Sequence, residues 1–369
     1  MNKAYKFRIY PNKEQQVLLA KTFGCVRLVY NYYLDKKINL YKDSETSISY
    51  TNCAKDMAQL KHTDDYVFLT EVDSVALQQS LRHLDTAFKN FFSNPKIGFP
   101  KFKSKHKNKK SYATVCVNNN TSIENGCIKL PKVGLVKLKQ HRQIPSDYVI
   151  KSATVSQTPS GKYYVSVLFE YENQVQITKP QTFIGLDFSM HELYVDNNGN
   201  EPAYPRYYRQ AEQKLAREQH KLSKMQKGSN NRNKQRIKIA KLHEKVANQR
   251  KDFLHKQSKQ IANAYDCVCI EDLDMKAMSQ CLNFGKSVAD NGWGMFTTFL
   301  KYKLEDLGKQ LIKIDKWFPS SKMCSNCGNI KDNLQLSDRV YHCERCGITL
   351  NRDYNASINI RNQGIFINC

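Results

Sequence analysis

Two Cys-x2-Cys pairs, Cys324 with Cys327 and Cys343 with Cys346, restrict the fold of this sequence more sharply than any other feature in it. Fifteen residues, Gly328 to His342, separate them. Paired thiols at this spacing are the knuckles of a four-thiolate zinc site. The segment must therefore turn beneath each pair and form a ribbon. A closed thiolate set leaves no open position for substrate, which makes the zinc structural. His342 is adjacent but surplus. Seven residues beyond the last thiol, Asp353 stands at the expected start of a helix. The ribbon thus fixes an acid in space, and two upstream acids are candidates to join it. They are Asp187, ending Phe183-Ile-Gly-Leu-Asp, and Glu271, ending Cys267-Val-Cys-Ile-Glu.

The charge of the chain indicates what such acids would face. A formal net charge of +24 in a foldable chain favours a polyanionic partner, and nucleic acid is the commonest. The length of 369 residues allows two or three domains with cores of their own. No apolar run approaches the ~20 residues of a membrane span, and no apolar signal stretch follows Met1. A membrane partner is not expected, and a cytoplasmic location is. The other eight cysteines (Cys25, Cys53, Cys116, Cys127, Cys267, Cys269, Cys281, Cys369) are scattered, as expected of thiols in a reducing cytosol.

Patterning divides the chain. Lys3 to Tyr10 alternates, with Tyr5, Phe7 and Ile9 on one face, and predicts a half-buried strand. Pro11 stops it and Asn12 can cap a helix. Helical spacing then continues to about residue 95. Lys101 to Lys110 holds six lysines, read equally well as a solvated loop or as phosphate contacts. Residues 111–175 read as short strands, with a hairpin around Pro159-Ser-Gly161. A small barrel that includes the first strand is expected, with the helices inserted after that strand. A strand at 183–187 is followed by a tight turn at Asn197-Asn-Gly199. Residues 205–264 read as a helical hairpin broken at Gly228-Ser-Asn-Asn231. Between 205 and 260 it carries 17 Lys/Arg against 4 Asp/Glu, which predicts a surface that holds a duplex. Cys267 to Ile270 reads as a buried parallel-type strand, and 276–292 lacks periodicity and is expected to be a loop.

A carboxylate after an apolar run is costly unless something uses it. Singly, Asp187, Glu271 and Asp353 could each cap or end an element. Jointly they lie on an early strand, at the end of a later strand and at the start of the last helix, the order of an RNase H-like nuclease core. Such carboxylates hold two divalent ions ~3.5–4 Å apart for in-line displacement at phosphorus. Oxygen ligands favour magnesium, with manganese as its substitute. Asp272 and Asp274 are nearby, but strand alternation turns Asp272 away from the face of Glu271.

Gly185-Leu-Asp187, Ile270-Glu-Asp-Leu273, Gly292-Trp-Gly294, the split ribbon and Asn351-Arg-Asp-Tyr-Asn-Ala-Ser-Ile-Asn359 together resemble TnpB, the transposon-encoded RNA-guided nucleases related to type V CRISPR effectors. Tyr5-Lys-Phe-Arg-Ile-Tyr-Pro-Asn12 and Phe99-Pro-Lys-Phe102 extend the resemblance over nearly the whole chain. It implies a multidomain α+β chain. A wedge-type β-barrel (1–12 and 111–178) would contain an inserted helical recognition domain (13–110). A RuvC-like α/β nuclease domain (179–320 and 349–362) would contain an inserted zinc ribbon (321–348), with a C-terminal tail at 363–369. It also implies a guide RNA from the transposon end, double-stranded target DNA beside a short motif, and cutting at one RuvC site. A prokaryotic cytoplasm is implied, at the nucleoid when bound to DNA. Asp187, Glu271 and Asp353 fall on the family's catalytic positions. Tyr50, Gln78 and Asn118 fall on positions that contact DNA, although their neighbours Ala54, Val75 and Val117 are apolar. An RNA-guided repressor that binds without cutting and an RNase H-like transposase are the alternative readings.

Overall fold

The computed structural model describes residues 1–94, 96–172, 175–281, 285–335 and 337–368. It divides into two units, Met1–Asn173 and Gln174–Cys369. In the first, strand β1 (Asn2–Tyr10) leads into helices α1 (Lys13–Ser44), α2 (Tyr50–Leu60) and α3 (Ser74–Ser93). The strands β2 (Lys110–Val115), β3 (Ser122–Glu124), β4 (Cys127–Leu130), β5 (Gly134–Lys139), β6 (Val149–Gln157) and β7 (Tyr163–Glu170) follow. They form a curled seven-stranded sheet in the order β2-β6-β7-β1-β5-β4-β3. β1 lies between β5 and β7, so the first strand does join the later ones with the helices inserted after it.

Asn12 starts α1 through a reciprocal capping box: its side chain accepts from Gln15 N (2.8 Å) and Gln15 Oε1 accepts from Asn12 N (3.0 Å). Helices and sheet share one core, with Phe7, Ile9, Leu19, Tyr33, Leu77, Val165 and Phe169 all buried. The lysine loop is anchored rather than free. Asn31 exchanges hydrogen bonds with the backbone of Lys103 at 2.8 and 2.9 Å, and the Lys103 ammonium lies 3.6 Å from the centre of the Tyr30 ring. The other lysines of that run stay exposed.

The second unit is built on a four-stranded sheet. Its strands are β8 (Phe183–Ser189), β9 (Leu193–Asp196), β10 (Cys267–Glu271) and β11 (Gln310–Ile314), in the order β11-β10-β8-β9. β8, β10 and β11 are parallel, and β9 is antiparallel. Helices α4 (Tyr207–Ser223) and α5 (Asn230–Ala264) form the basic hairpin. Its stripe packs through buried Leu215, Ile239 and Val246. A buried polar contact that the pattern did not reveal joins the arms: Glu218 accepts from the Gln235 amide (2.7 Å) and pairs with Lys238 (2.9 Å). These two partners pull its carboxyl down to about 2. Helices α6 (Met275–Cys281), α7 (Gly285–Asn291) and α8 (Trp293–Asp306) come next.

The loop expected at 276–292 is therefore mostly helical, and 282–284 lie outside the described residues. Short-range capping and buried polar anchors hold it, which hydrophobic periodicity does not report. Asp274 caps α6 through Lys276 N and Ala277 N, both at 3.0 Å. Buried Asp290 accepts from Tyr208 N in the first turn of α4 (3.1 Å), and Asn291 donates to Ser189 O (2.9 Å). The ribbon hairpin β12 (Val340–His342) and β13 (Thr349–Asn351) leads into α9 (Arg352–Asn368). Residues 363–368, assigned to a tail, are its last turns, held because Gly364 packs directly on Cys269. Among the described residues no helix is long and apolar enough to cross a membrane.

Candidate active site and metal centre

Sheet register brings the first two acids together. β8 and β10 pair in parallel through Gly185 with Cys269 and Leu186 with Ile270. One step further on each strand stand Asp187 and Glu271, side by side on the same face at the C-terminal ends. Ile184, Leu186, Val268 and Ile270 point the other way, into the core beneath α5 and α8. The face of Asp187 and Glu271 carries Cys267, Cys269 and Ile314, and α9 lies across it with Ile360 in the same cluster.

The third acid arrives on α9. A Cβ on Gly185 would fall 2.2 Å from Ser357 O and 2.6 Å from Arg361 N, so the helix backbone rests on the strand where that residue has no side chain. Asp353 lies one turn before Ser357, and Asp187 lies two residues after Gly185. Asn351 caps α9, accepting from Asp353 N (2.9 Å) and Tyr354 N (3.1 Å). Burial, then the charges of Glu271 and Asp353, push the Asp187 carboxyl well above the ordinary carboxylate range, while Arg352 opposes the rise. Burial also raises Glu271, against a hydrogen bond from the Ser320 hydroxyl. Asp353 is clamped by Arg352 at 3.0 Å and faces Arg339 at 3.6 Å. Asp272 pairs instead with Lys313 at 2.6 Å, and Asp274 caps α6, so neither joins the cluster.

The four ribbon sulfurs lie within 4.8 Å of one another, and Cys324–Cys346 and Cys327–Cys343 are each 3.6 Å apart. Thiolates ~2.3 Å from one tetrahedral ion stand ~3.8 Å apart, so the set fits a single metal ion. Gly328 (φ +73) and Gly347 (φ +74) follow the two pairs in left-handed geometry, letting Gly328 N and Gly347 N turn back to Cys324 O and Cys343 O at 2.9 Å. His342 bonds Thr349 instead, at 2.9 Å.

Sequence reasoning missed Ser320, Arg339 and the asparagines of α9. Buried Asn359 donates to Ser320 O (2.7 Å) and Met323 O (2.6 Å), and Asn355 donates to Met323 O (2.7 Å). The ribbon root, the Glu271 partner and the Asp353 helix are therefore one hydrogen-bonded unit. Two asparagines one turn apart on the inner face of one helix, Asn355 and Asn359, were the available signal, because a buried amide needs a partner. Removal of the ribbon metal by a chelator is expected to disorder this unit as well. Circular dichroism should show a lower melting temperature and cleavage should fall, and magnesium alone should not restore either. Unchanged melting after metal loss would contradict the linkage.

The three positions expected to contact DNA lie in the first unit. Tyr50 opens α2 half-buried, with the Arg82 guanidinium 4.9 Å from its ring centre. Gln78 is exposed on α3, and Asn118 is exposed in a turn at φ +49. No hydrogen bond among the described residues joins the three. Of the other cysteines, Cys25, Cys53, Cys267 and Cys269 are buried, Cys116 and Cys127 half-buried, and all are free thiols. The Cys281 side chain and Cys369 lie outside the described residues.

Family models match three stretches: a "Helix-turn-helix domain" at 1–46, the OrfB_IS605 "Probable transposase" at 166–282, and a "Cas12f1-like, TNB domain" at 293–360. A Streptomyces pristinaespiralis protein named "Putative RNA-guided DNA endonuclease" is 34% identical over 99% of this chain and 90% of its own length. The chain belongs to the OrfB_IS605 (TnpB) family. Another relative, "Putative RNA-guided DNA endonuclease InsQ" of Escherichia coli K12, is 30% identical over 97% of this chain and 91% of its own length. Among solved structures, a Cas12f1–sgRNA–target DNA complex matches with a TM-score of 0.59 at 14% identity, covering 98% of this chain and 99% of that one. The last likeness is one of fold. It agrees with a mixed α/β TnpB chain that joins a curled sheet, a nuclease-type sheet and a four-cysteine ribbon.

Proposed function

We propose that this TnpB-family chain is an RNA-guided DNA endonuclease: it binds a guide RNA from the transposon end and cuts motif-adjacent double-stranded DNA at one metal-dependent site. The observation that carries the reading is that Asp187, Glu271 and Asp353 approach one sheet edge, with the Asp187 carboxyl driven upward by burial first and then by the charges of Glu271 and Asp353. Crowded like charges at the end of a buried strand are costly, and a bound cation offsets them. The names of the full-length relatives support the class of reaction. All three acids are present, which favours cleavage over binding alone.

Asp187, Glu271 and Asp353 would hold magnesium, since their donors are all carboxylate oxygens. Divalent ions there supply the positive charge that a phosphodiester transition state needs. The Ser320 hydroxyl fixes the rotamer of Glu271, and Arg352 with Arg339 fixes that of Asp353. Cys324, Cys327, Cys343 and Cys346 would hold a structural zinc in an insertion at 321–348. One zinc per chain by mass spectrometry is expected. The exposed cations of α4 and α5, among them Lys214, Arg217, Lys234, Arg236, Lys241 and Lys245, are the RNA and heteroduplex surface. Tyr50, Gln78 and Asn118 are assigned to the target-adjacent motif. The decisive test is to sequence the RNA that copurifies with the protein and programme that complex against matched plasmid DNA with magnesium. Guide-dependent double-strand cutting is expected. Absence of a copurifying RNA, or cutting that ignores the guide sequence, would overturn the reading.

A further inference from the structure

We propose that Trp317, with Lys316 beside it, is a stacking platform for an unpaired base of the DNA strand held at the acidic site; this rests on the nuclease reading above. The chain has two tryptophans. Trp293 is buried at 3% exposure, whereas Trp317 is 80% exposed. A lone exposed aromatic side chain is ordinary. The mounting of this one is not.

Trp317 sits at the middle of a five-residue loop whose two ends are both fastened to Glu271. At one end Ile314 pairs with Glu271 across the β10–β11 ladder, and Asp272 N donates to Ile314 O (3.1 Å). At the other end the Ser320 hydroxyl bonds the Glu271 carboxylate. Trp317 is three residues from each anchor, so its Cα stands within about 10 Å of both. Stacked nucleotides rise ~3.4 Å each, which places the ring within a few nucleotides of a phosphate at the triad.

The loop is rigid. Asp315 Oδ1 accepts from Trp317 N (2.7 Å), Phe318 N donates to Asp315 O (3.1 Å) and Ser320 N donates to Phe318 O (2.7 Å). Phe318 turns inward onto the Cys267–Cys269–Ile314–Ile360 cluster, which leaves Trp317 facing out. The Lys316 ammonium lies over one face of the indole, 4.9 Å from its centre. A base would therefore stack on the opposite face or displace the flexible lysine, whose charge is then close enough to meet the nucleotide's phosphate. Every base has a π-face, so stacking tolerates any sequence. That suits a site whose substrate sequence changes with the guide.

The test is a titration of the full-length protein, in calcium rather than magnesium, with a short oligothymidylate and with an abasic strand of equal length and charge. Tryptophan emission should be quenched by the thymidylate and not by the abasic strand, and Trp317→Phe should abolish the quench because Trp293 is buried. Wild type should prefer the base-bearing strand by about 5- to 100-fold. Trp317→Phe should keep that preference and Trp317→Ala should lose it. Equal quenching by both strands, or an undiminished preference in Trp317→Ala, would overturn the platform. Asp187→Asn should keep the quench. A protein that shows the quench but never cuts DNA would remove the nuclease reading and leave a strand-binding platform standing.

Discussion

Asp187→Asn is expected to slow DNA cleavage by at least ~10³-fold and, in the absence of metal, to make the protein more stable than wild type. The first effect follows from removing one of the three ligands of the proposed metal site, which forfeits several kcal/mol of transition-state charge stabilisation, at ~1.4 kcal/mol per tenfold. The second follows from the direction in which Asp187 is shifted. Burial and the charges of Glu271 and Asp353 raise its carboxyl, so the ionised side chain is a cost to the folded state. An amide of the same shape removes that cost. Substitutions that relieve functional-site strain commonly contribute about 0.5–2 kcal/mol, or ~2–4 °C per kcal/mol for a unit of this size. Guide RNA binding should be unchanged.

The same shift fixes a pH dependence. A carboxyl raised in the folded state binds its proton more tightly there than in the unfolded chain. The increment of stability from the protonated Asp187 is therefore fully present below the ordinary Asp range and is lost as pH rises through the raised folded value. Glu271 is shifted the same way and adds to the slope. Magnesium should reverse the loss above neutrality in wild type and do little for Asp187→Asn. Thermal melts of both proteins from pH 5 to 9, with and without magnesium, check this. A metal-free melting temperature that climbs with pH in wild type alone would reverse the assigned sign.

Periodicity and spacing made much of this legible. Strand alternation around Phe7, the apolar run before Asp187 and the two thiol pairs each act through a local pattern, and each appears as read. The three acids could be grouped because their elements follow a known order. What holds them in place was not legible. The close approach at Gly185 depends on Ser357, far along the chain, and no local pattern reports a contact of that span. Ser320 looked like one of several loop serines until β10 and β11 paired and brought it to Glu271. Helices α6 and α7 were hidden because Asp274, Asp290 and Asn291 hold them through polar contacts, which hydrophobic periodicity ignores.

Gly185→Ala should then damage both stability and catalysis through one atom. The added Cβ would lie 2.2 Å from Ser357 O and 2.6 Å from Arg361 N, both backbone atoms with no rotamer to yield. α9 must lift from β8, at an overpacking cost of about 1–3 kcal/mol. That lift carries Asp353 away from Asp187, and a 1 Å displacement of a reacting group can cost ~10²-fold in rate. Gly294, in the first turn of α8, has nothing within 4 Å of the same added atom. Gly294→Ala is the matched control and should leave melting temperature and rate near wild type. Asp353 moves without being mutated, so the rate loss in Gly185→Ala should exceed what the fraction of unfolded protein explains and should persist well below the melting temperature. Wild-type melting and cleavage in Gly185→Ala would mean that α9 does not rest on β8, and the geometry that unites the three carboxylates would fail with it.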